Sequence, residues 1–543
     1  MPAGAWVGTF HGICLRLLKR FHREAGLRKN FKVLDAQGQR ELFSTAGITW
    51  ESDDGDLVDI IGKWKDSLVS PDEAEADAVA RGNSVLRTAA GHYRTYEEAI
   101  KTRGDLDFSD LVVKSLALLT DSPEVQSFIA GRIRHVLVDE FQDVNKSQVL
   151  FLQAFASCGS AVWAVADDDQ ALYGWRGGNV RYTVNFSHHF PGAKSYTLTL
   201  NYRCDPAIIA AANSVIRNNK ERVRKTLLPS KAHRPGVCVR IRGFKSEREE
   251  AEWIAAALER YMKAGAKLSD AAVLFRTSSV SPAIQQALET RNVPFSLAGT
   301  QSFWDLPEVA ALAELLLAIE EKNQAKGSRF KKAWDIVQTM GGASPSETAV
   351  PAARLIGDQP PAGVNGERAA LWADACDAAA IIAAGFPSAR EFAAHVAEKA
   401  GKASGGDAEG VALSTIHSAK GLEWKHVFIA GCEASLMPHQ KSDDQEEERR
   451  LFYVALTRSK GSVDATWSRH RFGRSQRPSQ FLSEMNSAPK GAVIWGEGND
   501  DSGSAAAHAR PSAPAAHSRK TGGFTVYRKR GGGRSLIPPG EED

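Results

Sequence analysis

The sequence predicts an α/β fold with two sheet regions, and three observations carry that expectation. Two apolar segments, RIRHVLV (132–138) and AVWAVA (161–166), each run into acidic or amide residues and are separated by a helix-sized gap. That is the pattern of parallel strands whose functional groups lie at their carboxyl ends. A second set of strands, VCVRIRGF (237–244), DAAVLFRT (270–277) and HVFIAG (426–431), accompanies the helical stretch EREEAEWIAAALERY. Between about 307 and 410 the chain is Ala-rich with helical apolar spacing (VAALAELLLAI, ERAALWADACDAAAIIAAG), which reads as a helical insertion between two halves of one sheet domain.

The remaining elements follow in order. Residues 5–10 (AWVGTF) read as a short strand, and ICLRLLKRFHREAG as a helix ending at Gly26. From Gly4 to Lys32 there are seven Lys/Arg against one Glu, so this helix carries a basic face. Residues 33–104 read as polar and mostly helical, with SPDEAEADAVA starting a solvated helix. From about 486 the chain turns Ser/Ala/Pro/Gly-rich, and disorder is expected there. Within it TVYRKRGGGR (525–534) is basic and reads as a solvated tail.

Composition narrows the class. A chain of 543 residues with 43% hydrophobic content can bury a sizeable core and suggests three or four domains or subdomains. Lys and Arg total 68 against 65 acids, a net of +3, so any nucleic-acid affinity must come from local patches. The six cysteines are scattered without a CxxC pair, which argues against zinc, iron–sulfur and disulfide frameworks. The first residues, MPAGAWVGTFHG, lack a basic stretch followed by an apolar core, and no run of 18 apolar residues occurs. The expectation is a soluble, cytoplasmic protein.

Two segments carry chemistry. In VLVDEFQD (136–143) an apolar strand delivers adjacent carboxylates, suited to a nucleotide-hydrolysing site: Asp139 to hold Mg²⁺, Glu140 to orient and deprotonate the attacking water. The plain alternative is a solvated acidic turn. ADDDQALYGWRGG (166–178) follows, where Gln170 is an uncharged hydrogen-bonding group suited to sensing a γ-phosphate. Tyr173 and Trp175 beside Arg176 form an aromatic and cationic set on which unpaired bases can stack. The alternative there is a core Trp and Tyr closing a turn.

The ordered set TFHG (9–12), LDFSDL (106–111), VDEFQD, DDDQALYGWRG, LNYRCDPAIIAAAN (200–213), LSTIHSAKGLEW (413–424) and EEERRLFYVALTRSK (446–460) resembles the UvrD/Rep/PcrA-like superfamily 1 DNA helicases. FWDLPEVAALAELL (303–316) and PSQFLSEM (478–485) are similar too, so the resemblance spans roughly 5–485. It implies two RecA-like, P-loop-type motor domains with helical insertions. The first would comprise 1–32 and 105–215, interrupted by 33–104; the second 216–306 and 411–485, interrupted by 307–410; and 486–543 would be a disordered tail.

The resemblance also implies site residues. Asp139 and Glu140 match the Mg²⁺-associated acid and the catalytic base, and Gln170 the γ-phosphate-sensing glutamine. Arg203 and Arg458 match two arginines that reach the γ-phosphate, where a permanently charged, planar guanidinium stabilises the transferring phosphoryl group. Glu423 matches a nucleotide contact. Thr9, Phe10, His11, Tyr173, Trp175, Arg176 and His417 match positions lining a single-stranded DNA track. The implied cofactors are ATP and Mg²⁺; the implied partners are single-stranded and duplex DNA, with repair or replication proteins. The implied activity is ATP-driven 3′-to-5′ translocation and unwinding.

The sequence departs from the family in small and large ways. Ala166, Ala171 and Gly12 replace a usual Gly, Ser and Ser, and the second insertion is short for the family. More consequentially, the family carries a G-x-x-x-x-G-K-[ST] loop ahead of TFHG, and the pattern occurs nowhere in these 543 residues. That loop surrounds the phosphates with backbone N–H groups, a lysine and a hydroxyl. The first motor domain is therefore expected to be incomplete, with an unpaired apolar gap where the preceding strand would lie. Either Met1 is an internal or misassigned start, or the chain is a truncated remnant that binds single-stranded DNA or a partner without hydrolysing ATP.

Overall fold

The computed structural model describes residues 5–50, 56–172, 174, 177–230, 232, 239–298, 303–321, 344–357, 366–400, 410–440, 442, 444–497 and 526–529. Two compact units emerge: unit 1 comprises 1–198, 221–223 and 524–543, and unit 2 comprises 199–220 and 224–523. The α/β expectation holds.

Unit 1 begins with α1 (Phe10–Arg20), where a strand over 5–10 was expected. The Thr9 side chain accepts from the Gly12 amide at 3.2 Å, and this N-cap starts the helix at Phe10, leaving residues 5–8 irregular. The first insertion follows as α2 (Ala36–Thr45), α3 (Leu57–Asp66), α4 (Pro71–Ala80) and α5 (Ser84–Arg103). Its core joins Leu42, Phe43, Ile61, Tyr93, Tyr96 and Ile100. Helix α5 stops at Gly104, which holds φ +72, and an added Cβ there would meet Arg28 Nε at 2.7 Å.

The unit continues with α6 (Phe108–Asp121), α7 (Pro123–Arg132), β1 (His135–Val138), α8 (Lys146–Ser157) and β2 (Ala161–Ala164). The LDFSDL segment proves to be a helix start: Asp107 and Asp110 form a reciprocal capping box. Both also hold the buried Lys65 ammonium, at 2.6 and 2.9 Å, with Glu97 at 2.6 Å. This buried cluster ties the insertion to α6. Strands β1 and β2 run parallel, pairing His135 with Ala161 through Val138 with Ala164. Among the described residues β1 has no second neighbour, and Leu137 is 79% exposed. Two short helices, α9 (Arg181–Val184) and α10 (Phe186–His189), lead to β3 (Ala193–Tyr196).

Unit 2 opens with β4 (Leu200–Asn201) and α11 (Pro206–Ile216), and β4 pairs with β5 (Leu228–Pro229). The expected first motor domain, 1–32 and 105–215, includes α11, which groups here with unit 2. In this helix Ile208, Ile209, Ala212, Val215 and Ile216 are buried, and Asn213 bonds both to the amide and to the carbonyl of Leu227.

The sheet of unit 2 uses β6 (Val239–Phe244), β7 (Ala271–Phe275), β8 (Phe295–Leu297), β9 (Val411–Thr415), β10 (Trp424–Ala430) and β11 (Ser459–Ser468). With β14 (Val493–Glu497) they form seven parallel strands in the order β14-β6-β11-β10-β7-β9-β8. Strand β7 is buried at every residue, which is why these strands read as unbroken apolar runs. Helices α12 (Glu247–Lys263) and α13 (Ser281–Thr290) cover the sheet through Trp253, Ile254, Leu258, Ile284 and Leu288, packed on Val273, Phe275, Leu413 and Phe428.

The second insertion is helical as expected: α14 (Pro307–Glu320), α15 (Pro345–Gly357), α16 (Gly366–Ala383) and α17 (Ala389–Lys399). Its core mixes Phe303, Leu312, Leu316, Trp372 and Phe392 with small residues such as Ala349, Ala352, Ala353 and Ala379. Helix α18 (Gln445–Thr457), the hairpin β12 (His470–Arg471) and β13 (Arg474–Ser475), and α19 (Gln480–Met485) complete the unit.

Of the segment from 486 onward, where disorder is expected, residues 486–497 and 526–529 are described. Val493–Glu497 joins the sheet edge beside β6, because the apolar, strand-favouring VIW run offers a ladder to an open edge. Residues 526–529 form β15, antiparallel to β3; the rest of the basic segment lies outside the described residues. No described helix is long and apolar enough to cross a membrane, and no metal-binding cluster of three His, Cys, Asp or Glu occurs among the described residues. The five described cysteines are free thiols.

Candidate active site

In unit 1, β1 delivers Asp139 and Glu140 to solvent at its carboxyl end. Glu140 has φ 53, the left-handed region that costs a side-chain-bearing residue energy and clusters at functional sites. Around it the backbone is pinned: Phe141 N–H donates to Val165 O at 2.9 Å, and Glu140 N–H to Asp139 Oδ1 at 3.0 Å. The buried Gln142 donates Nε2 to Glu140 Oε2, while its Oε1 accepts from Asp167 N–H at 3.0 Å. Asp167 Oδ2 in turn accepts from Gln170 Nε2 at 2.6 Å. One run of hydrogen bonds therefore joins the strand end bearing Glu140 to the one bearing Gln170.

The neighbouring aspartates are anchored from another part of the chain. Arg222 grips Asp169 with both Nε (2.8 Å) and Nη2 (2.7 Å), and Val223 N–H donates to Asp168 Oδ2 at 2.7 Å. Both aspartates are buried, so the bidentate guanidinium compensates a charge withdrawn from water.

Of the residues expected on a DNA track, Thr9 caps α1 and Phe10 turns partly into the core, 6.4 Å from Phe151. His11 makes an edge contact with the exposed Phe108 at 5.9 Å, and burial lowers its pKa. Tyr173, Trp175 and Arg176 lie outside the described residues. His417 belongs to unit 2, half-buried in the turn after β9.

Unit 2 gathers a second set. Arg203 donates Nε to Glu423 Oε2 at 2.7 Å and reaches Thr457 O at 3.5 Å, the carbonyl just before Arg458. Glu423 Oε1 also meets Lys460 Nζ at 2.6 Å. Burial alone would raise the Glu423 pKa, but Lys460 and Arg203 outweigh it and hold the carboxyl below its ordinary range. Arg458 is 1% exposed, its guanidinium directed to the carbonyls of Val454 (3.1 Å) and Leu422 (3.4 Å). Taken separately, the exposed carboxylates of unit 1 have the donor chemistry for a divalent cation, and the guanidinium groups of unit 2 that for phosphate.

Comparison with known proteins bears on what these sets belong to. Residues 2–191 match the model of the UvrD/REP helicase N-terminal domain, and residues 196–341 with 391–469 match that of the UvrD-like helicase C-terminal domain. DNA helicase II of Escherichia coli (strain K12) is 28% identical over 559 residues, covering 89% of this chain and 77% of that protein. ATP-dependent DNA helicase PcrA of Staphylococcus epidermidis is 28% identical over 563 residues, covering 88% and 76%. The chain belongs to the UvrD/Rep/PcrA-like helicases.

Within this helicase family chain, sequence reasoning missed three residues. Gln142 stands inside the quoted DEFQD but carried no role; its amide is what links Glu140 to Asp167. Arg222 and Lys460 carried no signal beyond a basic side chain, since their partners lie far away in sequence, at Asp169 and Glu423. The expected residues do fall into two groups, Asp139, Glu140 and Gln170 in unit 1, and Arg203, Glu423 and Arg458 in unit 2.

Proposed function

We propose that the chain is an ATP-dependent DNA helicase that moves 3′ to 5′ along single-stranded DNA and unwinds duplex, acting in the cytoplasm in DNA repair or replication. The observation that carries this reading is the hydrogen-bonded run from Glu140 through Gln142 and Asp167 to Gln170. It gives a general base and an uncharged sensor a shared support, so a group felt by one is relayed to the other.

In this reading Asp139 would hold Mg²⁺, which would supply positive charge beside the phosphates of ATP. Glu140 orients a water and takes its proton. Arg203 and Arg458 stabilise the charge that develops on the transferred group, and Glu423 contacts the nucleotide while keeping Arg203 in place. Thr9, Phe10, His11, Tyr173, Trp175, Arg176 and His417 line the path of the single strand, where stacking at about 1–3 kcal/mol per base is tolerant of sequence.

One observation favours a second reading, a chain that binds single-stranded DNA or a protein partner without turnover: the 543 residues contain no G-x-x-x-x-G-K-[ST] pattern. ATP hydrolysis measured with and without single-stranded DNA separates the two. The first reading expects stimulated hydrolysis that Glu140→Gln abolishes while ATP binding persists. Undetectable stimulated hydrolysis rejects it for this chain.

A further inference from the structure

The basic stretch that opens the sequence is not explained by nucleotide chemistry, and its side chains are arranged in an unusual way. Several other arginines of unit 1 close on carboxylates: Arg40 on Asp56, Arg81 on Asp77, Arg94 on Asp72, Arg103 on Asp105, Arg181 on Glu221 and Arg222 on Asp169. Arg16, Arg20 and Arg132 instead lie over aromatic rings. The Arg16 Cζ is 4.8 Å from the centroid of Trp6. Arg20 and Arg132 share the ring of Phe128, at 4.5 and 5.2 Å, and Arg20 is also 5.6 Å from Phe21. The rings themselves touch, Trp6 with Phe128 at 6.3 Å and Phe21 with Phe128 at 5.1 Å.

Two elements far apart in sequence, α1 and α7, thus bring three guanidinium groups onto one aromatic platform. Sharing Phe128 keeps two of them within about 10 Å of each other. Like charges this close repel, and none of the three is neutralised by an ion pair among the described residues. The platform also restrains each side chain before any partner arrives, which lowers the entropy cost of binding. Lys19, Arg23 and Arg134 are exposed nearby in the chain and add charge of the same sign. The same helix carries Thr9, Phe10 and His11 at its other end, about 16 Å away at 1.5 Å per residue.

We propose that the Arg16–Arg20–Arg132 face, backed by Trp6 and Phe128, is a second DNA contact that grips the phosphate backbone of DNA extending beyond the single-strand track. The inference rests on the reading of the chain as a DNA-binding motor, and deepens it by naming a surface that none of the helicase motifs includes. Planar guanidinium groups suit phosphate oxygens, and stacking on the rings leaves their N–H edges free to donate. The contact reads charge and not bases, as a moving protein requires.

The test uses the full chain and labelled DNA of three kinds, with affinity followed by fluorescence anisotropy across a salt series. An oligo-dT of about ten nucleotides fills a single-strand track alone. A strand several times longer, and a duplex, extend beyond it. In the triple variant Arg16→Gln/Arg20→Gln/Arg132→Gln, the slope of log K against log salt should fall by about two to three for the extended DNA, as three lost phosphate contacts require. The short oligonucleotide should bind as before. Loss with the longer single strand alone assigns the contact to that strand, and loss with duplex alone assigns it to the duplex.

An unchanged slope with both extended DNAs overturns the proposal and leaves the face to some other partner. If the triple variant melts early, Lys19→Gln/Arg23→Gln/Arg134→Gln, which removes charge without disturbing the rings, gives the same reading with the same two outcomes. Failure of the unmodified chain to bind any of the three DNAs sinks the DNA-binding reading itself, and this inference with it.

Discussion

Gln142 donates its side-chain amide to Glu140, and with its carbonyl oxygen it accepts from the backbone of Asp167, 25 residues further on. A buried amide has no freedom to make these bonds elsewhere, so it fixes the Glu140 carboxylate relative to the loop carrying Gln170.

Replacing Gln142 with Leu keeps the volume and removes both bonds. Stimulated ATP hydrolysis should fall by about tenfold to a hundredfold, or roughly 1.4 to 2.8 kcal/mol in barrier. Single-stranded DNA affinity should stay within about twofold, because the amide's partners are Glu140 and Asp167. Equal loss of both would mean that Gln142 merely supports the fold. Steady-state kinetics alongside anisotropy makes the comparison.

Arg222 and Asp169 form a buried bidentate pair. Arg222→Ala leaves a buried carboxylate uncompensated and should cost about 3–5 kcal/mol in unfolding free energy. The double variant Arg222→Ala/Asp169→Ala should recover a large part of that loss, because no charge is then stranded. Chemical denaturation of the three variants reads the coupling directly. Strict additivity would show that the pair does not interact as described.

Asp464 is buried in the sheet of unit 2 between His426 (3.2 Å), Arg242 (3.2 Å) and Arg240 (3.9 Å). Burial pushes its pKa up, but these partners together bring it down from 3.8 to about 2. A folded-state pKa below the unfolded one means that the stabilisation is fully present above pH 3.8 and is lost as pH falls toward 2. The stability advantage over Asp464→Asn, on the order of 2 kcal/mol from this shift alone, should shrink across that window. Urea midpoints measured against pH test it; a difference that stays constant down to the acid end would contradict the assignment.

Much of this architecture was readable because its signals are local. The strands ending in DEFQD and DDDQ, and the helices of the second insertion, follow from apolar runs whose periodicity is complete within a few residues. Thr9 shows where that reading fails. AWVGTF has a strand-like composition, yet a single side-chain cap on Gly12 starts a helix at Phe10.

Helix α11 shows what a local signal leaves open. Its apolar residues say that it is buried, and only the folded chain groups Ile208, Ile209 and Val215 with unit 2. The contributions of Gln142, Arg222 and Lys460 were invisible for the same reason. Each depends on a partner brought close by folding, and an isolated amide or cation in the sequence does not name its partner.

The central claim is that Glu140 and Gln170, joined through Gln142 and Asp167, act as one unit in hydrolysis. Single-turnover hydrolysis by Gln142→Leu, Gln170→Ala and the double variant tests it most directly. Residues that act as a unit are strongly non-additive, so the double variant should be about as slow as the slower single one. If the two losses multiply instead, the residues act independently and the account fails.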